Sequence, residues 1–184
     1  MKNLRTSFLI VTIMGVAITS CADKKKDKEP EVIEVETHTT HQTKEDITMS
    51  SINFDDDAIA AVYQHYIHIK MALVKTDAAE SKNGGKMLAE ALSKVEGFQD
   101  LKDAVNNLVA TDDVEQQRVA FSPISDALAK LIEGHVTSGE VYHQYCPMAF
   151  DFKGGYWLSS EKEIRNPYFG DKMLKCGEVK ATIK

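Results

Sequence analysis

From about residue 55 to residue 132 the apolar positions recur at steps of three and four, the period of a helix with one buried face. Ile59, Val62, Tyr66, Ile69 and Leu73 form the first stripe, with Asp55 as its predicted N-cap. A second helix is predicted from Asp77, whose side chain caps while Glu80 reaches back; its stripe runs through Met87, Leu88, Ala91, Leu92 and Val95. Gly84 and Gly85 weaken that helix locally. Leu101, Ala104, Val105 and Leu108 predict a third helix, closed before Thr111. Val114, Phe121, Ile124, Leu128 and Leu131 predict a fourth that continues across Pro123, so the proline kinks one helix rather than separating two. Four amphipathic helices with short connections predict a mainly α fold, an up-and-down four-helix bundle over residues 52–134.

The period then changes. Gly134 and Gly139 end the helical pattern, and Val141–Cys146 alternates and is rich in β-formers. Tyr156–Ser159 and Glu178–Ile183 are two further predicted strands. Gly154-Gly155 and Asn166-Pro167-Tyr168-Phe169-Gly170 between them carry turn chemistry, because proline fixes φ and glycine tolerates a positive one. Residues 135–184 are therefore expected to form a small C-terminal β-rich cap on the bundle, the two parts making one domain, 52–184.

Before residue 52 the pattern is of another kind. Lys2 and Arg5 precede an apolar run from Phe8 to Ile18, the order of a secretory signal peptide over residues 1–20. That run is too short to span about 30 Å of hydrocarbon, which takes roughly 20 apolar residues. Ile18-Thr19-Ser20-Cys21 resembles the bacterial lipobox, in which the cysteine becomes the acylated first residue of the mature chain. The resemblance implies an exported protein of the cell envelope, in the periplasm or on the outer membrane, anchored to a membrane through lipid on Cys21. Residues 21–51 are rich in lysine, glutamate and threonine with no sustained period, and read as a disordered tether. His38 and His41 within it read as part of a solvated linker.

Charge removes one class of partner. Loss of Lys2 and Arg5 with the signal leaves 20 basic residues against 28 acidic ones, a net charge near −8. No basic stripe with interleaved aromatics is present, so a nucleic-acid partner is not expected. Gly-x-Ser-x-Gly, His-Glu-x-x-His, Cys-x-x-Cys and a glycine-rich phosphate loop are all absent from the sequence, and a non-enzymatic role is expected. His65, His68 and Met71 in the first helix point away from its apolar stripe, which places them on an outer face unless another element covers it.

The predicted cap concentrates soft donors. In an extended Cys146-Pro147-Met148, positions i and i+2 place both sulfurs on one side. In Met173-Leu174-Lys175-Cys176 a spacing of three brings both sulfurs to one face of a helical turn. Two thiolates and two thioethers suit a soft ion such as Cu(I), and His143 is a possible extra ligand. The same cysteines, thirty residues apart in an exported chain, also suit a structural disulfide worth about 3 kcal/mol. The methionine spacings favour metal; a site in which a disulfide replaces metal is compatible with both readings.

Tyr142-His-Gln-Tyr-Cys-Pro-Met-Ala149, Gly155-Tyr-Trp-Leu-Ser159, Ile164-Arg-Asn-Pro-Tyr-Phe-Gly170 and Met173-Leu-Lys-Cys-Gly177, with Arg118-Val-Ala-Phe-Ser-Pro-Ile-Ser125, resemble an uncharacterised bacterial periplasmic domain. Its relatives occur as free lipoproteins and as C-terminal extensions of the periplasmic adaptor subunits of heavy-metal efflux pumps. The resemblance, over about residues 55 to 183, implies handling of copper or a similar metal alongside efflux systems, with Cys146, Met148, Met173 and Cys176 matching the sulfur motifs. Tyr-x-Cys-Pro-Met also resembles a heavy-metal motif of copper-exporting ATPases, but Ala149-Phe150 stands here where that motif continues with His-Pro.

Overall fold

The computed structural model describes residues 52–184. The predicted signal segment, Cys21 and the tether with His38 and His41 lie outside the described residues. The described chain is mainly helical with a small C-terminal β-sheet region. Four helices come first: α1 Asp57–Val74, α2 Ala78–Leu92, α3 Gln99–Val109 and α4 Val114–Ile132. Each packs on the next, and α1 also packs on α4. The predicted stripe of α1 is buried throughout, and Leu88, Leu92, Leu101, Val105, Leu108, Phe121, Ile124 and Leu128 close the core against it. Met87 departs from its predicted stripe: it is 39% exposed and lines a cleft between α1 and α2 with His65 and Glu90. Among the described residues no helix is long and apolar enough to cross a membrane.

Local chemistry sets the helix ends. Asp77 caps α2 by accepting from the Glu80 N–H, and Asp113 caps α4 by accepting from Glu115 and Gln116. The cap of α1 is Asp56, not Asp55, accepting from Ala58 and Ile59. Asp55 is diverted to His135: its N–H donates to the His135 carbonyl at 3.0 Å, and its carboxylate meets Nδ1 at 2.8 Å. That contact continues into a short antiparallel pair, β1 Asn53–Phe54 with β2 Val136–Ser138. Pro123 lies inside α4, as its apolar period requires.

Gly84 and Gly85 earn a reason that helix propensity alone does not give. A Cβ on Gly84 would come within 3.0 Å of Ile69 in α1, and one on Gly85 within 2.8 Å of Val109 and 2.9 Å of Leu108 in α3. The pair lets α2 approach both neighbours closely. It also explains why His68 is not on an open face: α2 covers it, and its Nε2 meets the Glu80 carboxylate.

The sheet region comprises β3 Val141–Cys146, β4 Gly155–Ser159 and β5 Glu178–Ile183, antiparallel in the order β4-β3-β5. Buried hydroxyls join it to the helices. The Leu158 N–H donates to the Tyr66 hydroxyl at 2.8 Å, Tyr66 lies 2.8 Å from Ser125 Oγ, and Ser125 donates to the Phe121 carbonyl. One chain of hydrogen bonds thus ties β4 to α1 and α4, fixing the sheet in which Cys146 lies.

Candidate functional site

Cys146 is the last residue of β3. Alternation puts Tyr142, Gln144 and Cys146 on one face and Val141, His143 and Tyr145 on the other. Cys146 is fully buried and sits opposite Gly155 of β4. That glycine is required by crowding: a Cβ there would lie 2.7 Å from the Tyr168 ring and 2.9 Å from that of Phe150.

Cys176 arrives on the loop that leads into β5, the other neighbour of β3. A single 3-10 turn, Gly170–Lys172, leads into a second turn in which the Cys176 N–H donates to the Met173 carbonyl at 3.0 Å. Asn166, fully buried, pins this loop. Its N–H donates to the Leu174 carbonyl at 2.9 Å, its Nδ2 donates to the Cys176 carbonyl at 2.7 Å, and its Oδ1 accepts from the Tyr168 N–H. Both cysteines are free, and they are neighbours: the β3–β5 register pairs Tyr145 with Glu178, which brings the residue after Tyr145 to the residues before Glu178. Burial first, then the neighbouring Cys146 thiol, push Cys176 up to about 11, while the Met148 backbone N–H donates to its sulfur and acts in the opposite direction.

The four sulfur residues therefore belong to two short segments that meet. Residues 146–148 supply the Cys146 thiol and the Met148 N–H, and residues 173–176 supply the thiol that takes both contacts. One expected detail differs: Cys146-Pro147-Met148 is not extended. The strand stops at Cys146 and Met148 has helical angles, φ −90° and ψ −9°, because the chain must turn there to return as β4. The Met148 side chain is 39% exposed, and Met173 is half-buried.

His143 is not brought to this pair. It lies on the opposite face of β3, its ring 4.8 Å from that of Tyr156. Burial lowers its pKa and the Asp126 carboxylate on α4 opposes that, while its buried Nε2 has no hydrogen-bond partner. Among the described residues no three His, Cys, Asp or Glu side chains are grouped to hold an ion. A metal site at the thiol pair would have to be built from sulfur.

Sequence reasoning missed the turn after Met148. Phe150, Asp151 and Phe152 have φ of 53°, 55° and 65°, three consecutive non-glycine residues in the left-handed region. Such backbone costs about 1–2 kcal/mol per residue. The Gly154 N–H closes the turn on the Ala149 carbonyl at 2.9 Å, and the Phe150 ring packs 4.9 Å from that of Tyr168. Phe152 is 77% exposed, so its side chain gives little in return. Phe152→Gly is expected to stabilise the fold by about 1 kcal/mol, read as a higher urea midpoint; an unchanged or lower midpoint would show that the turn is not strained. Asn166 was likewise legible only as turn chemistry, since two of its three backbone partners, the Leu174 and Cys176 carbonyls, are not set by its neighbours in sequence.

No curated protein and no solved structure matches the chain. Residues 62–139, which run from α1 through α4 to the end of β2, match a family described as a protein of unknown function, DUF3347. The match stops before Cys146, so it concerns the helices and leaves the thiol pair to be judged on its own geometry.

Proposed function

We propose that this chain is an exported, lipid-anchored metal-binding protein of the bacterial cell envelope, non-enzymatic, taking Cu(I) or a similarly soft ion at Cys146 and Cys176. In this reading Cys21 carries the lipid, and residues 21–51 hold an up-and-down four-helix bundle within roughly 30 Å of the membrane, taking 5–6 Å times the square root of the tether length. An efflux-pump periplasmic adaptor is the proposed recipient. The observation that carries the reading is the contact between two free thiols thirty residues apart, delivered by segments that each hold a methionine. Thiolate and thioether donors select soft cations over hard ones. When the ion binds, each thiol gives up its proton and forms a bond to the metal, with no change in oxidation state.

The test uses the chain from residue 21 onward with Cys21→Ser, kept reduced, titrated with Cu(I) against a chromophoric chelator. Wild type is expected to take one equivalent, Cys146→Ser and Cys176→Ser to weaken binding by about 100-fold or more, and Met173→Leu by less. Equal, weak binding in all of them would overturn the proposal.

The same thiol contact also favours a second reading, an envelope interaction module in which Cys146 and Cys176 form a structural disulfide. Protein isolated from cells without reductant would then have a mass lower by two hydrogens. Full reactivity of both cysteines toward an alkylating reagent after unfolding would sink it.

A further inference from the structure

The two thiols differ in access. Cys146 is fully buried at the end of β3, beneath the crowding of Phe150 and Tyr168 at Gly155. Cys176 is half-buried on a loop, and its sulfur accepts from the backbone N–H of Met148. The Met148 side chain, 39% exposed, is the thioether nearest in sequence to that contact on the open side, and the strained turn of Phe150 to Phe152 follows it directly. A site with one closed end and one open end must fill and empty through the open end.

We infer that the proposed metal site has a fixed direction of exchange: Cys146 is the anchoring ligand, Cys176 the exchanging one, and Met148 the outer thioether that meets the ion first and holds it last. The inference rests on the metal reading and adds the order of transfer and the chemistry of the acceptor, a partner presenting a reachable thiol or thioether. In the transfer step the acceptor's sulfur forms a bond to the ion while Cys146 still holds it. The Cys176–metal bond then breaks, and a second acceptor sulfur displaces Cys146 in the same way; each thiolate released takes up a proton, from the acceptor where it is a thiol and from water where it is a thioether. Oxidation states do not change, so no oxidant or reductant is needed. Three-coordination during the step is within reach of a soft ion held by sulfur.

Two measurements on the Cys21→Ser chain test this. In the metal-free protein, iodoacetamide should modify Cys176 at least about tenfold faster than Cys146, located by peptide mass, because thiol reactivity follows access as well as thiolate fraction. In the Cu(I)-loaded protein, stopped-flow transfer to a chromophoric chelator should slow about tenfold in Met148→Leu, a larger factor than the same substitution changes the equilibrium affinity. Cys146 reacting as fast as Cys176, or an unchanged transfer rate in Met148→Leu, would overturn the ordered exchange. Failure to bind Cu(I) in any arm would instead sink the metal reading beneath it, so the two failures are separable.

Discussion

Arg118→Met is expected to lower the stability of the domain by about 2–3 kcal/mol, the cost of removing a buried donor from the neutral acceptors it satisfies. Arg118 is 2% exposed. Its Nε donates to the Pro167 carbonyl at 3.0 Å, and its Nη2 to the Leu73 carbonyl at 3.1 Å and to Thr76 Oγ1 at 3.0 Å. Nη1 reaches Glu115 at 2.8 Å, but that carboxylate is 60% exposed and contributes little. The weight therefore lies on the Pro167 carbonyl, which methionine would leave buried without a donor at about 1–3 kcal/mol, since the Leu73 carbonyl keeps the Thr76 N–H. Arg118→Lys should recover less than half of the loss, since one ammonium cannot reproduce a planar fork that spans the end of α1 and the loop at Pro167. Glu115→Gln should stay within about 0.5 kcal/mol of wild type. The measurement is the urea midpoint at constant m, and a drop below about 1 kcal/mol for Arg118→Met would refute the network's role. The clamp also bears on the thiol pair: a Cβ on Gly170 would lie 2.8 Å from Nη2 and 2.6 Å from Thr76 Oγ1, so the guanidinium packs directly on the loop that leads to Met173 and Cys176.

Arg118 also marks where sequence reading stopped. The four helices, Pro123 inside the last of them, the Asp77 cap and the three strands were all legible, because each is decided by residues within a few positions of one another. The sulfur segments were legible as motifs for the same reason. What was hidden depends on which distant element lies on top. Asp55 looks like a cap until His135 takes it, Met87 looks like core until the α1–α2 cleft leaves it at the rim, and Gly84-Gly85 looks like a weakness until Ile69 and Leu108 are placed against it. Arg118 and Lys70 carry charge, and nothing nearby in sequence says that they lie inside. The left-handed turn at Phe150–Phe152 is the strongest case. No glycine announces it, and it exists because Cys146 must end one strand and Gly155 begin the next while Phe150 is held against Tyr168.

Lys70 gives the second large effect, with a sign that pH reveals. Its side chain is 1% exposed, Nζ donates to Ser159 Oγ at 3.1 Å, and among the described residues no carboxylate stands in ion-pair contact with it. Burial pushes its pKa down to about 8, with Glu161 and Glu163 opposing and Arg165 adding. Below that value the amine is charged in both states, and the folded state bears the cost of burying it. Between about pH 8 and the ordinary lysine range the unfolded chain holds a proton that the folded one has shed, so stability rises with pH. The rise should be roughly 2 kcal/mol from pH 7 to about pH 9.5. Further up, Tyr63, Tyr66 and Tyr168 reverse the slope: burial holds their hydroxyls protonated in the fold beyond the usual phenol range, so the unfolded chain loses those protons first. Lys70→Met should flatten the rise and raise stability at neutral pH by a similar amount, since an apolar side chain of comparable length removes the buried charge and Ser159 Oγ still accepts from the Glu161 N–H. Urea midpoints across that pH range decide it, and parallel profiles for wild type and Lys70→Met would show that the ammonium is not buried at a cost. Because Ser159 ends β4, and β4 pairs with the strand that ends on Cys146, the same residue ties the protonation of the helical core to the sheet that holds the thiol pair.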